Sequence, residues 1–472
     1  GLGDVYKRQQ HNFLDAEPIT SEAYNKQLDE QFSREVTLKE VNAAMREAIT
    51  DRNQVLVIYA PDKPEVKIPS DAELEKMVLD AQKKTYPAYV EKRLDEKLIP
   101  VLPKKGHIVS EKPALHGMTE LTLSNGVKVY FKKTDYQKDA VVMNFFGEGG
   151  SSLYPDKDVL NTKFISTAVK EGGVGRFSST ELNKVLSDKT VRINAGVGIE
   201  TQSISGSSSL KDVRTLFELT YLYFTHLRRD DQAFNAELNR MRSFLTNREA
   251  SPNVSYNDSI ASIVYGNSPR VQPVKASSID KVNYDRVLQI YKERFSNASN
   301  FKMIIMGNIE LSQLQPLLEQ YIASLPATGK KESFVKSYPD VRNCNETHRF
   351  EKQMKTPLAR VSIFYTWDEP YTAKADLALD VFKRVLSIAY TDSVREEKGG
   401  VYGVKLQESL EQSSNPHALL KIAFDTDPDK YDVVMPIITG QIEHIARKGP
   451  EAVSLQKVKE YLLKQYDQSS VT

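Results

Sequence analysis

One structural pattern occurs twice in this chain, about 250 residues apart, and this repetition constrains the fold more than any other feature. The first copy is TLKEVNAAMREAITDRNQVLVIYA and the second is VNYDRVLQIYKERFSNASNFKMIIMG. Each copy predicts a helix, a short polar loop that contains an asparagine, and an apolar strand rich in β-branched residues. Because solenoid repeats are much shorter, the long spacing predicts duplicated domains.

The composition excludes several classes of protein. At 472 residues the chain is long enough for two or three domains. A net charge of +1 with 27% charged residues is typical of a soluble globular protein and makes nucleic acid a poor candidate partner. The single cysteine, Cys344, excludes an internal disulfide and a cysteine-based zinc site. No apolar run is long enough to predict a membrane span in this chain.

The sequence of the first quarter of the chain predicts part of a larger polypeptide. Residues 1–10, GLGDVYKRQQ, have no periodicity and resemble an artefactual leader, so we expect the natural N-terminus to lie further upstream. Residues 11–67 predict the end of a preceding domain, with a helix from Ser33 and a buried strand, QVLVIYA, whose sheet partners are missing. Residues 68–116 are charged and punctuated by prolines, which predicts a linker with one capped helix.

Two further domains are predicted after the linker. Residues 117–330 begin with MTELTLSNGVKVYFKK, in which Asn125-Gly126 indicates a hairpin. A strand, several helices and a serine-rich strand pair follow, and the second copy of the repeat closes this domain. Residues 340–472 predict a strand, a long helix, two strands and two helices, the last of them truncated.

The segment VREEKGGVYGV, residues 394–404, holds Arg395 and Tyr402 seven positions apart. A simple interpretation is a helix that ends in charged residues, is capped by Gly399 and Gly400, and leads into a strand that begins at Val401. This interpretation explains the local shape and leaves open whether the arginine and the tyrosine have a further role.

The order of these elements resembles the M16 family of zinc metallopeptidases, the pitrilysin and insulinase-like enzymes. Residues 117–310 resemble a catalytic-type domain of that family in LSNGVKVYF, GEGG and FNAELNRMRSFL, and residues 347–472 resemble its companion domain in REEKGGVY. The resemblance implies an α+β fold of duplicated M16-type domains, each an antiparallel-rich sheet with helices packed on it. Two such halves would close around a peptide.

The zinc motif of the family is missing from this chain. Active halves carry His-x-x-Glu-His on a helix and a distal glutamate. The five motif places fall on Lys163, Phe164, Ile165, Ser166 and Thr167, and the distal place falls near Ser243. No histidine lies between His116 and His226. We therefore expect no metal on this chain and zinc in the intact protein, bound by a missing half that acts in cis or in trans.

The resemblance also implies roles for five residues. Arg395 would bind a substrate backbone carbonyl, and Tyr402 would donate its hydroxyl to the oxyanion formed during peptide hydrolysis. The alternative is an arginine paired with Glu396 or Glu397 at the surface. Gly147, Gly149 and Gly150 would lie at an exposed strand edge to which substrate adds as a strand, and a glycine turn is the alternative.

The resulting hypothesis is the C-terminal half of a zinc-dependent endopeptidase that hydrolyses peptides or unfolded polypeptides in a closed chamber. This half would supply substrate binding and oxyanion stabilisation, and alone it would be inactive. A non-catalytic scaffold or peptide-binding subunit is the alternative. Relatives with two halves suggest a periplasmic or cell-envelope location.

Overall fold

The computed structural model describes residues 2–48, 54–60, 66–87, 97–337, 339, 341–342, 344–354, 356–396, 401–412 and 416–469. The chain forms two compact units, Gly1–Glu91 and Lys92–Thr472. Each unit has its own secondary structure. In the part of the chain that the structure describes, no helix is long and apolar enough to cross a membrane.

The first unit contains four helices: α1 (Leu2–Asp15), α2 (Glu22–Glu35), α3 (Leu38–Ala48) and α4 (Asp71–Lys83). The predicted helix from Ser33 is divided, because Thr37 caps α3 by donating from its N–H and its hydroxyl to the Glu40 carboxylate, at 2.8 and 2.7 Å. The capped helix predicted in the linker is α4, where the Ser70 N–H donates to Glu73 at 2.8 Å.

The strand predicted at QVLVIYA is wrong. Residues 54–60 have no regular structure, and their side chains are exposed, with Val55 86% and Tyr59 94% accessible. A strand needs a neighbour to pair its backbone N–H and C=O groups, and residues 54–60 pair with no strand among the described residues. Apolar β-branched composition alone was insufficient to specify a strand here.

The second unit contains a large sheet and a small one. The large sheet has strand order β1-β2-β3-β7-β4-β6-β5, and among its described strands β3 and β7 form the parallel pair. Its strands are β1 (Ile108–Pro113), β2 (Thr119–Leu123), β3 (Lys128–Lys133), β4 (Val141–Glu148), β5 (Val191–Val197), β6 (Thr201–Ser208) and β7 (Phe301–Gly307). The accompanying helices are α5 (Val159–Thr162), α6 (Ile165–Gly172), α7 (Ser179–Val185), α8 (Val213–Thr225), α9 (Asp231–Glu249), α10 (Pro252–Tyr265), α11 (Tyr284–Arg294) and α12 (Leu311–Leu317).

The predicted hairpin forms between β2 and β3. Its turn is closed by the Leu123 N–H, which donates to the Val127 carbonyl at 2.9 Å, and Gly126 has a positive φ of 86°. The Asn125 side-chain amide donates to the Ile322 carbonyl at 2.7 Å. The Asn-Gly pair therefore specifies the turn and also ties it to the rest of the domain.

Strand β1 lies inside the segment predicted as a linker. It pairs antiparallel with β2 at the edge of the large sheet. Its sequence, IVSEKP, is charged and ends in proline, a composition that is tolerated at a sheet edge because outward backbone groups need no partner. The charged, proline-containing composition that indicated a linker is thus equally typical of an edge strand.

The helices cover one face of the large sheet and leave the other face open. Side chains on β3, β4 and β7 alternate between buried and accessible. The buried set, at most 5% exposed, comprises Val129, Phe131, Met143, Phe145, Met303 and Ile305. Four phenylalanines cluster in this core with ring centroids 4.8–5.9 Å apart: Phe145, Phe224, Phe295 and Phe301. Burial of each such ring stabilises the fold by about 1.5 to 3 kcal/mol.

The small sheet repeats part of the large one. It contains β8 (Ala359–Asp368), β9 (Val401–Leu410) and β10 (His417–Thr426), in the order β8-β10-β9 and all antiparallel. The order matches β4-β6-β5 of the large sheet. Helices α13 (Ala373–Glu396), α14 (Tyr431–Lys448) and α15 (Ala452–Ser469) share its core. The predicted fold class, duplicated α+β domains with antiparallel-rich sheets, is confirmed.

Candidate functional site

The backbone places Arg395 and Tyr402 on either side of the junction between α13 and β9. Arg395 is the penultimate residue of α13, and Tyr402 is the second residue of β9. Residues 397–400, with the predicted caps Gly399 and Gly400, lie outside the described residues, as do the side chains of Arg395 and Tyr402. The structure therefore shows where the two residues are on the backbone and leaves their roles as predictions.

A β-bulge lies at Tyr402. Val404 pairs with Phe424 and Val401 pairs with Thr426, so β9 has one more residue than β10 across this interval. Tyr402 and Gly403 together lie opposite Asp425, and Gly403 has a φ of +143°. Bulges change the direction of the neighbouring side chains and are frequent next to active sites. Sequence reasoning missed the bulge, although a glycine inside a strand pattern is its usual signal.

Asp425 is held by an ion pair. Both Asp425 carboxylate oxygens accept hydrogen bonds of 2.7 Å from the Arg360 guanidinium on the neighbouring strand β8. These hydrogen bonds, more than the opposing effect of burial, lower the pKa of Asp425. The strand opposite the bulge therefore carries a carboxylate that stays ionised and fixed in place.

Helix α10 joins the small sheet to the large-sheet domain. The Tyr256 hydroxyl donates to the Ser362 hydroxyl on β8 at 2.8 Å, and Arg360 also donates to the Asn253 side chain. The Arg342 N–H donates to the Val264 carbonyl at the end of the same helix, at 2.8 Å. The sequence did not predict α10, even though Ser251 and Pro252 are suitable residues for the start of a helix.

The edge-strand interpretation of Gly147, Gly149 and Gly150 is wrong. Strand β4 is internal, and Gly147 pairs with Phe301 on one side and with Gln202 on the other. All three glycines are buried. The alternative of a glycine turn agrees with the backbone, because Gly149 and Gly150 have φ values of +125° and +56°. Substrate binding by these glycines stays a prediction, and Gly147 offers no open strand edge for it.

The places of the zinc motif do not fit zinc. Phe164 and Ile165 are 2% and 1% exposed in the apolar core. The Lys163 ammonium donates to the carbonyls of Pro269 and Gln272, at 2.8 and 2.6 Å, and burial lowers the pKa of this lysine. Ser243, at the distal place, is exposed on α9 and donates to a carbonyl of its own helix. None of these side chains supplies the imidazole or carboxylate ligands that zinc requires.

Among the described residues, one group of side chains has the spacing of a metal site. It comprises His11, Asp15 and Glu17, all exposed, and the His11 imidazole already hydrogen-bonds to Asp15 at 3.0 Å. Exposed acidic groups with this spacing are common without a metal. The group lies in the first unit, far in sequence from the motif places.

The fold and the site together define a class of protein. The large-sheet domain has no zinc ligand at the motif places, and it is followed by a small-sheet domain with Arg-Glu-Glu-Lys-Gly before a tyrosine. The family described as "Peptidase M16 inactive domain" matches residues 281–462, from α11 to α15. This match confirms the resemblance to the M16 peptidases that the sequence motifs predicted.

Particular relatives agree with this assignment. The chain is 22% identical over 433 residues to the probable zinc protease PqqL of Haemophilus influenzae, and the alignment covers 91% of this chain and 46% of the relative. The crystal structure of the periplasmic protease PqqL from Escherichia coli is similar, with a TM-score of 0.71 and 20% identity over 99% of this chain and 52% of that chain. A third match is the ferredoxin protease FusC in complex with Arabidopsis ferredoxin, with a TM-score of 0.68, 15% identity, and coverage of 100% of this chain and 52% of that chain. The chain thus spans about half the length of these relatives.

Proposed function

We propose that this chain is the non-zinc half of a zinc-dependent M16 endopeptidase, in which it binds the substrate and stabilises the oxyanion. The observation that carries the proposal is the bulge at Tyr402, at the start of a strand that pairs on one side only among the described strands. Arg395 precedes Tyr402 by seven residues at the end of α13. The bulge is an irregularity of the backbone of a kind that is frequent next to active sites.

The chemistry follows from the two side chains. A phenol donates a hydrogen bond to developing negative charge, and one such donor in a water-excluded site contributes roughly 2.7 to 4 kcal/mol to the transition state. A guanidinium has five donors in fixed directions and suits the carbonyl groups of an extended peptide. In this proposal Tyr402 acts on the oxyanion and Arg395 on a neighbouring carbonyl of the substrate.

In this proposal the zinc ion binds to the partner half and not to this chain. The relative in Haemophilus influenzae is named a probable zinc protease, and Lys163, Phe164 and Ile165 do not fit the metal. The metal would therefore be held by a second half, in cis or in trans. This chain alone would be inactive, and the two halves would enclose the peptide in a chamber.

The first experiment measures zinc by elemental analysis of the purified chain and turnover of a quenched peptide, with and without added zinc. We expect neither metal nor turnover from the chain alone. Stoichiometric zinc with turnover would show that this chain carries a complete site of its own.

The second experiment adds a zinc-bearing half and compares Tyr402→Phe with the wild type. We expect kcat to fall roughly 100- to 1,000-fold, because one oxyanion donor is lost. The control is Tyr136→Phe, which removes the hydroxyl of a tyrosine that is 75% exposed in the other domain. An unchanged kcat for Tyr402→Phe would refute the role proposed for that residue.

A scaffold or peptide-binding subunit is the second candidate, and the match to an inactive M16 domain favours it. Peptide binding without turnover, even with the zinc-bearing half present, would support this alternative. For location we propose the periplasm or cell envelope, because the similar Escherichia coli protein is a periplasmic protease. Cell fractionation tests this assignment.

A further inference from the structure

The uncovered side of the large sheet carries a surface that the proposed catalytic roles do not use. We define this open face by Val142, Ile304 and Met306 at its centre, and by Lys132, Arg192 and Lys302 around them. Val142 is 49% exposed and Met306 is 40% exposed, although both lie on internal strands. An apolar centre that stays accessible on an internal part of a sheet indicates an interaction surface.

The strand register arranges part of the open face in a straight row. Lys132 pairs with Met306, Met306 with Val142, Val142 with Ser207, and Ser207 with Arg192. Neighbouring strands are about 4.8 Å apart, so the row is about 19 Å long, with a cation at each end and Met306, Val142 and the small Ser207 between them. An extended polypeptide covers the same distance with about six residues.

Within the described part of the chain, the cations of the open face have no carboxylate partner. Among the described residues, no ion pair involves Lys132, Arg192 or Lys302, whereas Lys128 on the same side is paired with Glu120 at 3.1 Å. Lys302 also lies directly beside Lys128 in the register, and adjacent like charges are unfavourable. A surface with unpaired cations of this kind is complementary to an acidic ligand.

We propose that the open face binds an extended polypeptide segment with an apolar centre and carboxylates about six residues apart. This inference rests on the proposed function, for which it names the class of substrate segment that this half retains. A polypeptide is favoured over nucleic acid because apolar side chains separate the cations, and because the chain has a net charge of only +1.

The test is direct binding of labelled synthetic peptides to the purified chain, measured by fluorescence anisotropy. The probe has two glutamates at each end of a five-residue apolar segment. One comparison peptide has lysines in place of the glutamates, and another has the glutamates adjacent at one end. We expect the first probe to bind most tightly, and its affinity to fall with added salt.

Charge reversal of the face tests which residues are responsible. The triple variant Lys132→Glu, Arg192→Glu and Lys302→Glu should weaken binding of the acidic probe about tenfold or more. The matched control is Lys292→Glu on α11, an exposed lysine on a helix that packs against the covered face. Circular dichroism checks folding of both variants. The neutral triple variant, with glutamine at the same three positions, should weaken binding to a smaller extent and provides a second test if charge reversal prevents folding.

Three results would overturn the proposal: equal binding by the triple variant and the wild type, equal binding of the lysine and glutamate peptides, or tighter binding of single-stranded DNA of matched charge. Because binding is measured without turnover, this result is independent of the Tyr402 experiment. Failure of one proposal can therefore be distinguished from failure of the other.

Discussion

The backbone around Gly150 makes a strong prediction about stability. Gly150 has a φ of +56°, and an added Cβ would lie 2.5 Å from the Ile199 carbonyl oxygen, 2.6 Å from the Thr201 nitrogen and 2.7 Å from the Gly198 carbonyl oxygen. All three neighbours are backbone atoms, so they cannot rotate away as a side chain could. We expect Gly150→Ala to be strongly destabilising.

A second glycine in the same domain separates the cost of the left-handed backbone conformation from the cost of the steric contact. Gly175 has nearly the same φ, +58°, but the nearest atom to an added Cβ is the Leu222 Cδ2 at 3.5 Å, an ordinary contact. Gly175→Ala should therefore cost only the left-handed conformation, about 1 to 2 kcal/mol. Gly150→Ala adds a steric conflict worth about 1 to 3 kcal/mol, for a total of roughly 2 to 5 kcal/mol.

The measurement is equilibrium unfolding in urea, with native-state amide exchange on β4 to assign the loss to this domain. Exchange is needed because two domains do not have to unfold in one step. Equal losses in free energy of unfolding for the two variants would refute the argument from backbone contacts. A loss for Gly150→Ala that is larger by 1 kcal/mol or more would show a structural requirement for glycine at this position, whatever its relation to substrate.

Two further predictions concern charged groups. Lys163→Met removes two hydrogen bonds to the carbonyls of Pro269 and Gln272. We expect it to lower the free energy of unfolding by about 1 to 3 kcal/mol and to speed amide exchange at residues 266–272. The zinc content of the purified chain should not change. Hydrogen bonds from Arg360 lower the pKa of Asp425 in the folded state. The pair therefore stabilises the fold at pH values above the pKa of an unfolded aspartate. This stabilisation is lost as the pH falls through the folded-state pKa. Asp425→Asn should therefore reduce stability at neutral pH and flatten its decline in acid, as measured by thermal unfolding across pH; an unchanged acid slope would contradict the assignment.

The elements that sequence reasoning predicted well are those determined locally. The Asn125-Gly126 hairpin depends on a turn that needs a positive φ at Gly126, and both residues are adjacent in sequence. The capped helix α4 depends on Ser70 and Glu73, three positions apart. In each case the residues that determine the structure lie within one short window, so the pattern contains the necessary information.

The elements for which the prediction was wrong or missing depend on partners that are distant in the sequence. Residues 54–60 have the composition of a buried strand, but composition cannot supply a neighbouring strand. Strand β1 was assigned to a linker because its pairing with β2 is not visible in its own charged sequence. Of the residues of helix α10, Val264 is the buried one, and the helix contacts the small sheet through the Tyr256 hydroxyl, so no periodic apolar face indicates it in the sequence.

The candidate site shows the same division between local and distant information. The spacing of Arg395 and Tyr402 is local, and it was readable from the sequence. The bulge that sets the start of β9 is defined by register against Thr426 and Phe424, which lie more than 20 residues away in the chain. The role proposed for Tyr402 depends on the second kind of information as much as on the first.

The repeated topology puts the motif places and the Arg395–Tyr402 segment in corresponding connections of the two domains. The order β4-β6-β5 in the large sheet equals β8-β10-β9 in the small sheet, so α5 to α7 and α13 occupy the same connection, between the first strand and the edge strand. In the large-sheet domain that connection contains the motif places, where Lys163 donates to two loop carbonyls and Phe164 and Ile165 pack in the core. In the small-sheet domain the connection ends at Arg395 and leads into the bulge at Tyr402. The motif places therefore lie within this connection of the large-sheet domain, whereas the segment proposed to act on substrate lies at the end of the corresponding connection, where it enters the edge strand.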